Sequence, residues 1–321
     1  MLSQNTKHIY RHRPFHKHFL SGIRARIALL GAFAAVYLIW GSTFLAIRFA
    51  VESLPPFLMA GARFLVAGVA LYLWARLRGA ARPERAHLRT AFIAGGLMLL
   101  GGIGLLGWAE QYVSSGLAAL LVAAIPMWAV VIDAISTRQW PSRAVLAGVG
   151  LGLLGVALLI GPANIIAGDN RSFFSMLVIL AGTFSWSLGT HYSRRAAQPA
   201  SQNLATSLNL LAGGFLLILF SGARGEYATF AATAITLKSA LALGYLILFG
   251  SIVGFSAYMW LVKVTTPARA SSNFYVNPLV AVFLGWLLAG EQITPTTLAA
   301  TVVIAGAVAL IVSQKNKEIT A

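Results

Sequence analysis

The chain has 321 residues, of which 58% are hydrophobic and 10% are charged, and its mean hydropathy is +0.79. This composition is too apolar for a soluble domain of this length and predicts a membrane protein. The net charge of +16 would suit a nucleic-acid partner, but the basic residues are spread over alternate connections between apolar segments. Because they do not form one patch, their distribution argues against nucleic acid.

Ten apolar segments follow one another along the chain. A membrane-spanning helix needs about 20 residues, and each segment meets or approaches that length. The segments are continuously apolar rather than alternating, which predicts α-helices and not barrel strands. The predicted spans are 27–48, 57–77, 90–110, 114–135, 143–162, 173–193, 204–222, 239–260, 271–290 and 295–313. The predicted fold class is therefore an all-α integral membrane protein with ten transmembrane helices.

The second half of the chain repeats the first. Trp108 precedes Pro126 by 18 residues, and Trp260 precedes Pro278 by the same 18. Five crossings in each copy are an odd number, so the second copy enters the membrane inverted, as in many secondary transporters. The predicted units are two five-helix inverted repeats, 27–162 and 172–313, with a basic tail over 1–26 and a short tail over 314–321.

The basic residues predict the orientation of these helices. Most of the 24 Lys and Arg residues lie in the tails and in the connections on one side. The connections on the other side hold only Arg171, Arg224 and Lys238. By the positive-inside rule, both termini are predicted to be cytoplasmic.

Polar side chains within or beside the spans are candidates for a substrate cavity, because polar groups are costly in a bilayer. In the first copy they are Trp40, Ser42, Thr43, Arg48, Glu52, Arg63, Trp108, Glu110 and Gln111; in the second they are Trp186, His191, Tyr258, Tyr275 and Asn277. Two interpretations stay open for several of them. Glu52 follows Arg48 by four residues and so shares its helical face, which suits either a functional site or a simple interfacial pair. Tryptophans at span ends are also typical of the aromatic belt.

Two prolines occupy the same place in both copies. Pro126 and Pro278 are each predicted to interrupt a helix near its middle, which removes a backbone hydrogen bond and frees a carbonyl group. Such a group persists in a membrane where it faces protein or a wet cavity. The alternative is a kink that only improves packing.

Catalytic and metal-binding motifs are missing from the sequence. The chain has no cysteine, no HExxH, no GxSxG and no phosphate-binding loop, so we predict neither an enzyme nor a cofactor. His8, His12 and His16 recur every fourth residue, but a solvated basic tail is favoured over a metal site. A channel or lipid scramblase would need a continuous polar stripe, and the isolated polar sites favour a secondary transporter.

Several short motifs resemble one known family. They are Trp40-Gly-Ser-Thr-Phe with Arg48, Glu52 and Pro55-Pro56, the Arg63 segment, Ala109-Glu110, Tyr275-Val-Asn-Pro278 and Gly290-Glu291. Over residues 27–313 the chain resembles the EamA-type branch of the drug/metabolite transporter superfamily, above all its bacterial inner-membrane members.

The resemblance implies a central cavity between helices one to four and six to nine, with helices five and ten at the periphery. It assigns cavity-lining roles to Trp40, Arg63, Trp108, Glu110, Trp186, Tyr275 and Asn277. It also implies export by alternating access across a bacterial inner membrane, with small molecules and membrane lipid as partners. The expected substrates are small metabolites such as amino acids, and the alternative is a multidrug or toxic-compound exporter.

Overall fold

The computed structural model describes residues 23–166, 170–232, 235–265 and 272–320, and all regular structure in them is helical. We number the long helices of this described part in chain order, joining segments that continue one another. They are α1 (Ile23–Ala50), α2 (Pro56–Leu77), α3 (Arg85–Gly95, Gly96–Gly104 and Leu105–Ala109), α4 (Ser115–Val122 and Ile125–Thr137), α5 (Arg143–Ile166), α6 (Asn170–Arg195), α7 (Gln202–Ala223), α8 (Leu237–Tyr245, Leu246–Val253 and Gly254–Val264), α9 (Asn273–Ala289) and α10 (Pro295–Thr320). A short helix, Glu226–Ala232, lies between α7 and α8.

Long apolar helices account for most of the protein, as the sequence predicts. In the described ranges, seven helices are long and apolar enough to cross a membrane. Shorter apolar stretches of α5, α9 and α10 add Arg143–Leu159, Val276–Ala289 and Pro295–Ile311. The all-α membrane fold is therefore confirmed, while ten crossings stay a prediction. Large apolar side chains such as Leu77 and Leu30 point outward, as expected for a surface that meets lipid.

The packing of the helices repeats between the two halves. The helix pairs α2–α7 and α5–α10 are in contact, and so are α1–α9, α4–α6, α1–α8 and α3–α6. If each helix is replaced by its counterpart in the other half (α1 by α6, α2 by α7 and so on), the same six pairs result. The contact pattern therefore has the internal symmetry that a duplicated chain predicts.

The middles of α3 and α8 are π-helical, at Gly96–Gly104 and Leu246–Val253. Each π-helix offers a carbonyl to a side chain of the other half: Trp40 donates to the Gly250 oxygen, and Ser185 donates to the Leu97 oxygen. Short π-helical segments are frequent at functional sites. Equivalent places in the two copies thus have the same backbone irregularity and the same kind of contact between the halves.

A tryptophan also packs on a glycine in each half. A Cβ at Gly254 would lie 2.5 Å from the Trp40 ring, and a Cβ at Gly102 would lie 3.0 Å from the Trp186 ring. These glycines occupy matching places, six residues before Trp260 and Trp108 respectively. Only a residue without a side chain lets the ring lie this close to the neighbouring helix.

The two prolines behave differently. Pro126 lies at the start of the second segment of α4, just after the helix is interrupted between Val122 and Ile125. Its missing N–H is harmless there, because the first turn of a helix leaves its N–H groups unpaired. Pro278 lies inside α9, which continues through it. The predicted break is found at Pro126, and the predicted break at Pro278 is wrong.

Two ends of the helix bundle differ in charge. The carboxylate end is the end that holds Glu52, Glu110, Glu226 and Glu291, where α1 and α3 finish and α2 and α4 begin. The arginine end is the opposite one, where α2, α4 and α6 finish near Arg78, Arg138 and Arg194.

Candidate functional site: a polar cluster between the halves and a closed carboxylate end

Trp40 lies at the centre of a cluster in the middle of the bundle. Its ring contacts Phe255 edge to face, with centroids 5.4 Å apart, and lies 5.0 Å from the ring of Tyr258. Thr43, one turn further along α1, is buried and donates to the Trp40 carbonyl oxygen. The structure thus brings three predicted residues, Trp40, Thr43 and Tyr258, to one place between α1 and α8.

Arg63 supplies a buried positive charge beside this cluster. Arg63 is 5% exposed, and its Nε donates to the Ser251 hydroxyl at 2.7 Å. A Cβ on Gly250 would lie 2.9 Å from the Arg63 guanidinium and 3.1 Å from Thr43. Arg63 comes seven residues after the start of α2, which is about 10 Å along a helix. No carboxylate among the described residues lies within salt-bridge distance of it, so its charge is available to a ligand.

Asn273 and Asn277 contribute unpaired acceptors one helical turn apart on α9. Both residues are buried, and the side-chain oxygen of each lacks a hydrogen-bond partner in the described part of the chain. A Cβ at Gly41, next to Trp40, would lie 3.2 Å from the Asn277 carbonyl oxygen. Buried polar atoms normally have a partner. Tyr275, also predicted here, has its backbone in α9, but its side chain lies outside the described residues.

Glu291 binds the start of α4 at the carboxylate end. Its carboxylate accepts from the Ser115 backbone N–H at 2.8 Å, the Ser115 hydroxyl at 2.8 Å and the Gly116 N–H at 3.1 Å. Gly290 has a φ of +65°, which ends α9 and turns the chain back toward α4. A carboxylate at a helix N-terminus is stabilised by the unpaired N–H groups and by the helix dipole. One residue of the second half thereby holds a helix of the first.

Arg48 completes this contact, which we call the Glu291 clasp. Its guanidinium lies 3.2 Å from Glu291 Oε1 and donates to the Val113 carbonyl oxygen. The sequence favoured Glu52 as its neighbour, but α1 ends at Ala50, so Glu52 leaves the helical face of Arg48. Glu52 forms an exposed ion pair with Lys238 instead. Arg48 and Glu52 therefore belong to two separate contacts.

A second acidic residue binds a helix start in the same way. Glu226 accepts from the backbone N–H groups of Phe57 and Leu58 at the start of α2, and from the Ser221 hydroxyl. Like Glu291, it belongs to the second half and holds the first. Contacts of this type join the two halves at the carboxylate end.

Glu110 is buried behind the clasp, directly after α3. The residue is 2% exposed, and neither carboxylate oxygen has a hydrogen-bond partner within the described ranges. The charges that act on it belong to Glu291, Arg48 and Arg63. Trp108 lies two residues earlier, with its ring against Tyr112 and Phe174. Glu110 thus lies between the clasp and the Arg63 cluster.

Four predicted residues lie elsewhere. Ser42 shares a 2.6 Å hydrogen bond with Tyr245 in a mostly apolar groove of about 520 Å³ between α1, α8 and α9. Gln111 is exposed, and its side chain donates to the Trp108 carbonyl oxygen. Trp186 packs beside the α3 π-helix, while His191 contacts Asp133 and Arg195 at the arginine end. His8, His12 and His16 lie outside the described residues.

Sequence reasoning did not assign a role to several residues of the site. Glu291 is part of the Gly290-Glu291 motif, but no pattern assigns it to the cavity. An acidic residue directly after a helix-ending glycine, in a chain with only eight Asp and Glu residues, is the signal that identifies it as unusual. Ser251 and Phe255 gave no signal, because a serine or a phenylalanine in an apolar span is ordinary. Asp133, the partner of His191, was equally unmarked.

Comparison with known families decides the class of the protein. The EamA-like transporter family matches twice, over residues 26–161 and over residues 173–313. The chain belongs to the EamA-like transporter family. Two matches agree with the duplication read from tryptophan and proline, and they support transport rather than catalysis.

Curated EamA relatives cover nearly the whole chain. The inner membrane transporter YedA of Escherichia coli (strain K12) is 39% identical over 294 residues, which are 90% of this chain and 92% of YedA. A Salmonella typhimurium protein named "probable amino-acid metabolite efflux pump" is 27% identical over 279 residues, or 84% of this chain and 89% of that protein. A "probable terminal-alkyne amino-acid exporter" of Streptantibioticus cattleyicolor is 27% identical over 263 residues, 81% of this chain and 84% of the relative. The predicted inner-membrane transporter is thereby confirmed as a class.

A solved crystal structure has the same fold. It has a TM-score of 0.61 against this protein at 19% sequence identity, and the match covers 88% of this chain and 96% of the other. At this identity the likeness concerns the fold alone.

Proposed function

We propose that this protein exports α-amino acids or closely related small metabolites from a bacterial cell by alternating access. The observation that carries the proposal is the cluster between the halves, which combines a buried Arg63 without a carboxylate partner among the described residues and the unpaired amide oxygens of Asn273 and Asn277 on α9. Trp40 links the two, because it contacts Gly250 beside Arg63 and precedes Gly41 beside Asn277.

The chemistry of an α-amino acid matches this cluster. Its carboxylate suits the guanidinium of Arg63, and its ammonium group suits two amide oxygens that lack donors. The rings of Trp40, Phe255 and Tyr258 offer apolar faces to the side chain. A lipophilic drug cation would need carboxylates and aromatic faces, and Arg63 would repel it. Two relatives named for amino-acid export support the same substrate class.

The alternating-access mechanism is supported by the unequal closure of the two ends. Beside the clasp, Ala109, Ala118 and Ala119 are fully buried. Trp40 and Tyr258 in the middle stay partly exposed. An exporter that awaits its substrate should be closed outside and accessible from the cytoplasm. We therefore assign the carboxylate end to the outside, in agreement with the basic residues of the other end.

The orientation can be tested with single cysteines, because the chain has none of its own. Ala228→Cys lies on the short helix at the carboxylate end, and Ala80→Cys follows α2 at the arginine end. An impermeant thiol reagent should label the first in intact cells and leave the second unlabelled. The reverse labelling would overturn the orientation.

The transport proposal is tested in proteoliposomes loaded with labelled natural amino acids or with the lipophilic cation ethidium. Protein-dependent release of at least one amino acid, without ethidium transport, is the expected result. Arg63→Ala should lower that rate by on the order of a hundredfold at equal amounts of inserted protein, because one charged hydrogen-bonding partner is lost. Glu52→Gln, at an exposed ion pair, is the matched control and should transport normally.

Two results would count against the proposal. Transport of ethidium with no amino acid released would favour the multidrug alternative. Unselective release of all contents, unaffected by Arg63→Ala, would favour a channel.

A further inference from the structure

Glu110 is the least satisfied ionisable group in the described part of the protein. Both of its carboxylate oxygens are fully enclosed and unpaired, whereas Asp133, Glu226 and Glu291 have partners. An ionised carboxylate in such a place costs several kcal/mol more than a neutral carboxylic acid. The closed carboxylate end therefore favours Glu110 with a proton bound.

The hydrogen-bond partners of the two neighbouring acids, Glu110 and Glu291, indicate which of them holds a proton. Glu291 has three hydrogen-bond donors and Arg48 around its carboxylate, so it is the ionised member. Arg48 is committed to Glu291 and to the Val113 carbonyl oxygen. The proton therefore belongs to Glu110, where no such donors are present.

The remaining charges around Glu110 come from the other helices that pack near α3. Arg63 of α2 acts on it from the cluster side. At the same end of the bundle, α6 and α7 carry Arg171 and Arg224, and both side chains are exposed to solvent. Exposed charges are screened by water and salt. Arg48, Arg63 and Glu291 therefore set the charge balance of Glu110.

Closure of the carboxylate end also separates Glu110 from outside water. Ala109 beside it is fully buried, and so are Ser115 and Leu120 of α4. Opening this end would hydrate the carboxylate and remove the cost of its charge. Loss of the proton from Glu110 and opening of this end therefore favour each other, so the free energy needed to open the end falls as the pH rises.

We infer that Glu110 is the proton-binding site of the transporter, which takes a proton from outside when the carboxylate end is open and holds it when that end closes. Binding forms one O–H bond on Glu110 and breaks one in a hydronium ion, which leaves as water, so the charge of Glu110 changes from negative to neutral. Water on the cytoplasmic side accepts the proton before the carboxylate end opens again. The inference rests on the proposed function, since uptake on one side and release on the other couple export to the proton gradient. Glu110→Gln then mimics the protonated, closed form.

The test measures opening of the carboxylate end as a function of pH, without any substrate. Ala109→Cys reports on opening, and Ala228→Cys on the exposed short helix corrects for the ionisation of the thiol itself. Reaction rates with an impermeant methanethiosulfonate reagent are measured in lipid nanodiscs from about pH 5 to about pH 9. Val113→Cys, a second buried position with a small change in volume, repeats the measurement in case Ala109→Cys fails to fold.

With native Glu110, the ratio of reporter rate to control rate should rise with pH by up to about tenfold per unit, because one proton is linked to opening. With Glu110→Gln, the ratio should be low and independent of pH, and with Glu52→Gln it should follow the native curve. A ratio that does not change with pH in the protein with native Glu110 would overturn the inference. An unchanged pH dependence with Glu110→Gln would overturn it equally, since another group would then be responsible.

Failure of this inference can be told apart from failure of the proposed function. If amino acids are transported but the ratio of reporter rate to control rate does not change with pH, the function stands and the proton site is wrong. If that ratio rises with pH but no amino acid is transported, the proton site stands and the substrate class is wrong. If both succeed, Glu110→Gln, whose carboxylate end stays closed, should lose both amino-acid exchange and the response to an imposed pH gradient, whereas Glu52→Gln should keep both.

Discussion

The carboxylate end and the middle of the bundle satisfy their polar groups in opposite ways. At the carboxylate end, Glu291 and Glu226 each bind two backbone N–H groups and a hydroxyl. In the middle, buried amide oxygens of Asn273 and Asn277 stay unpaired, and Arg63 has a serine but no acidic partner. The first arrangement is complete without a ligand and suits a closed gate. The second has unused donors and acceptors and suits a binding site.

Glu110 is the exception at the carboxylate end. It is as buried as the polar groups of the middle, and it has as few partners. Its position between the clasp and Arg63 is what connects the gate to the binding site in our account. Changes to the clasp should therefore affect opening and stability, while changes to the middle should affect binding.

The largest effect on the closed end is expected from Glu291→Gln. It removes the negative charge that Arg48 and the N-terminus of α4 stabilise, and we expect the free energy of unfolding to fall by about 2–4 kcal/mol. Unfolding of the purified protein in detergent, followed by circular dichroism, measures this. The matched variant Glu52→Gln breaks an exposed pair and should cost at most about 1 kcal/mol. Equal losses in the two variants would remove the distinction between the clasp and an ordinary surface pair.

A smaller effect is expected from Gly285→Ala, because Gly285 of α9 packs against the Glu291 clasp. A Cβ there would lie 2.8 Å from the Glu291 carboxyl carbon and 3.0 Å from the Ser115 hydroxyl, so the carboxylate must shift. We expect a loss of about 1–3 kcal/mol, as for an overpacked site. Gly306→Ala is the control, because a Cβ on that residue of α10 meets nothing within 4 Å. A stability of Gly285→Ala equal to that of the control would mean that the carboxylate has room to move.

The sequence predicted the helices well because their signal is local. A run of apolar residues long enough for a bilayer determines a helix almost by itself. Repeated tryptophans and prolines also predicted the duplication, and the positions of Arg63 and Glu110 inside predicted spans made both candidates for the cavity. These inferences need only a residue and its near neighbours along the chain.

Contacts between the halves could not be predicted in the same way. Arg48 meets Glu291 from the other end of the sequence, and only the packing of α1, α4 and α9 brings them together. Four-residue spacing pointed to Glu52 instead, because it assumed that α1 continues past Ala50. Pro278 was expected to break its helix as Pro126 does, yet α9 tolerates the loss of one hydrogen bond. Likewise, no sequence pattern distinguishes the π-helical segments from the α-helical parts of the apolar helices.

The most direct test of the account asks whether loosening the Glu291 clasp changes the far end of the molecule. Spin labels on Gln111→Cys and Ala228→Cys span the carboxylate end, and labels on Gln139→Cys and Ala197→Cys span the arginine end; all four positions are exposed. Distances are measured by double electron–electron resonance in lipid nanodiscs, with and without Glu291→Gln. Alternating access predicts that Glu291→Gln lengthens the carboxylate-end distance and shortens the arginine-end distance. A longer distance at the carboxylate end with no change at the arginine end would contradict the account, because the clasp would then hold only a local contact.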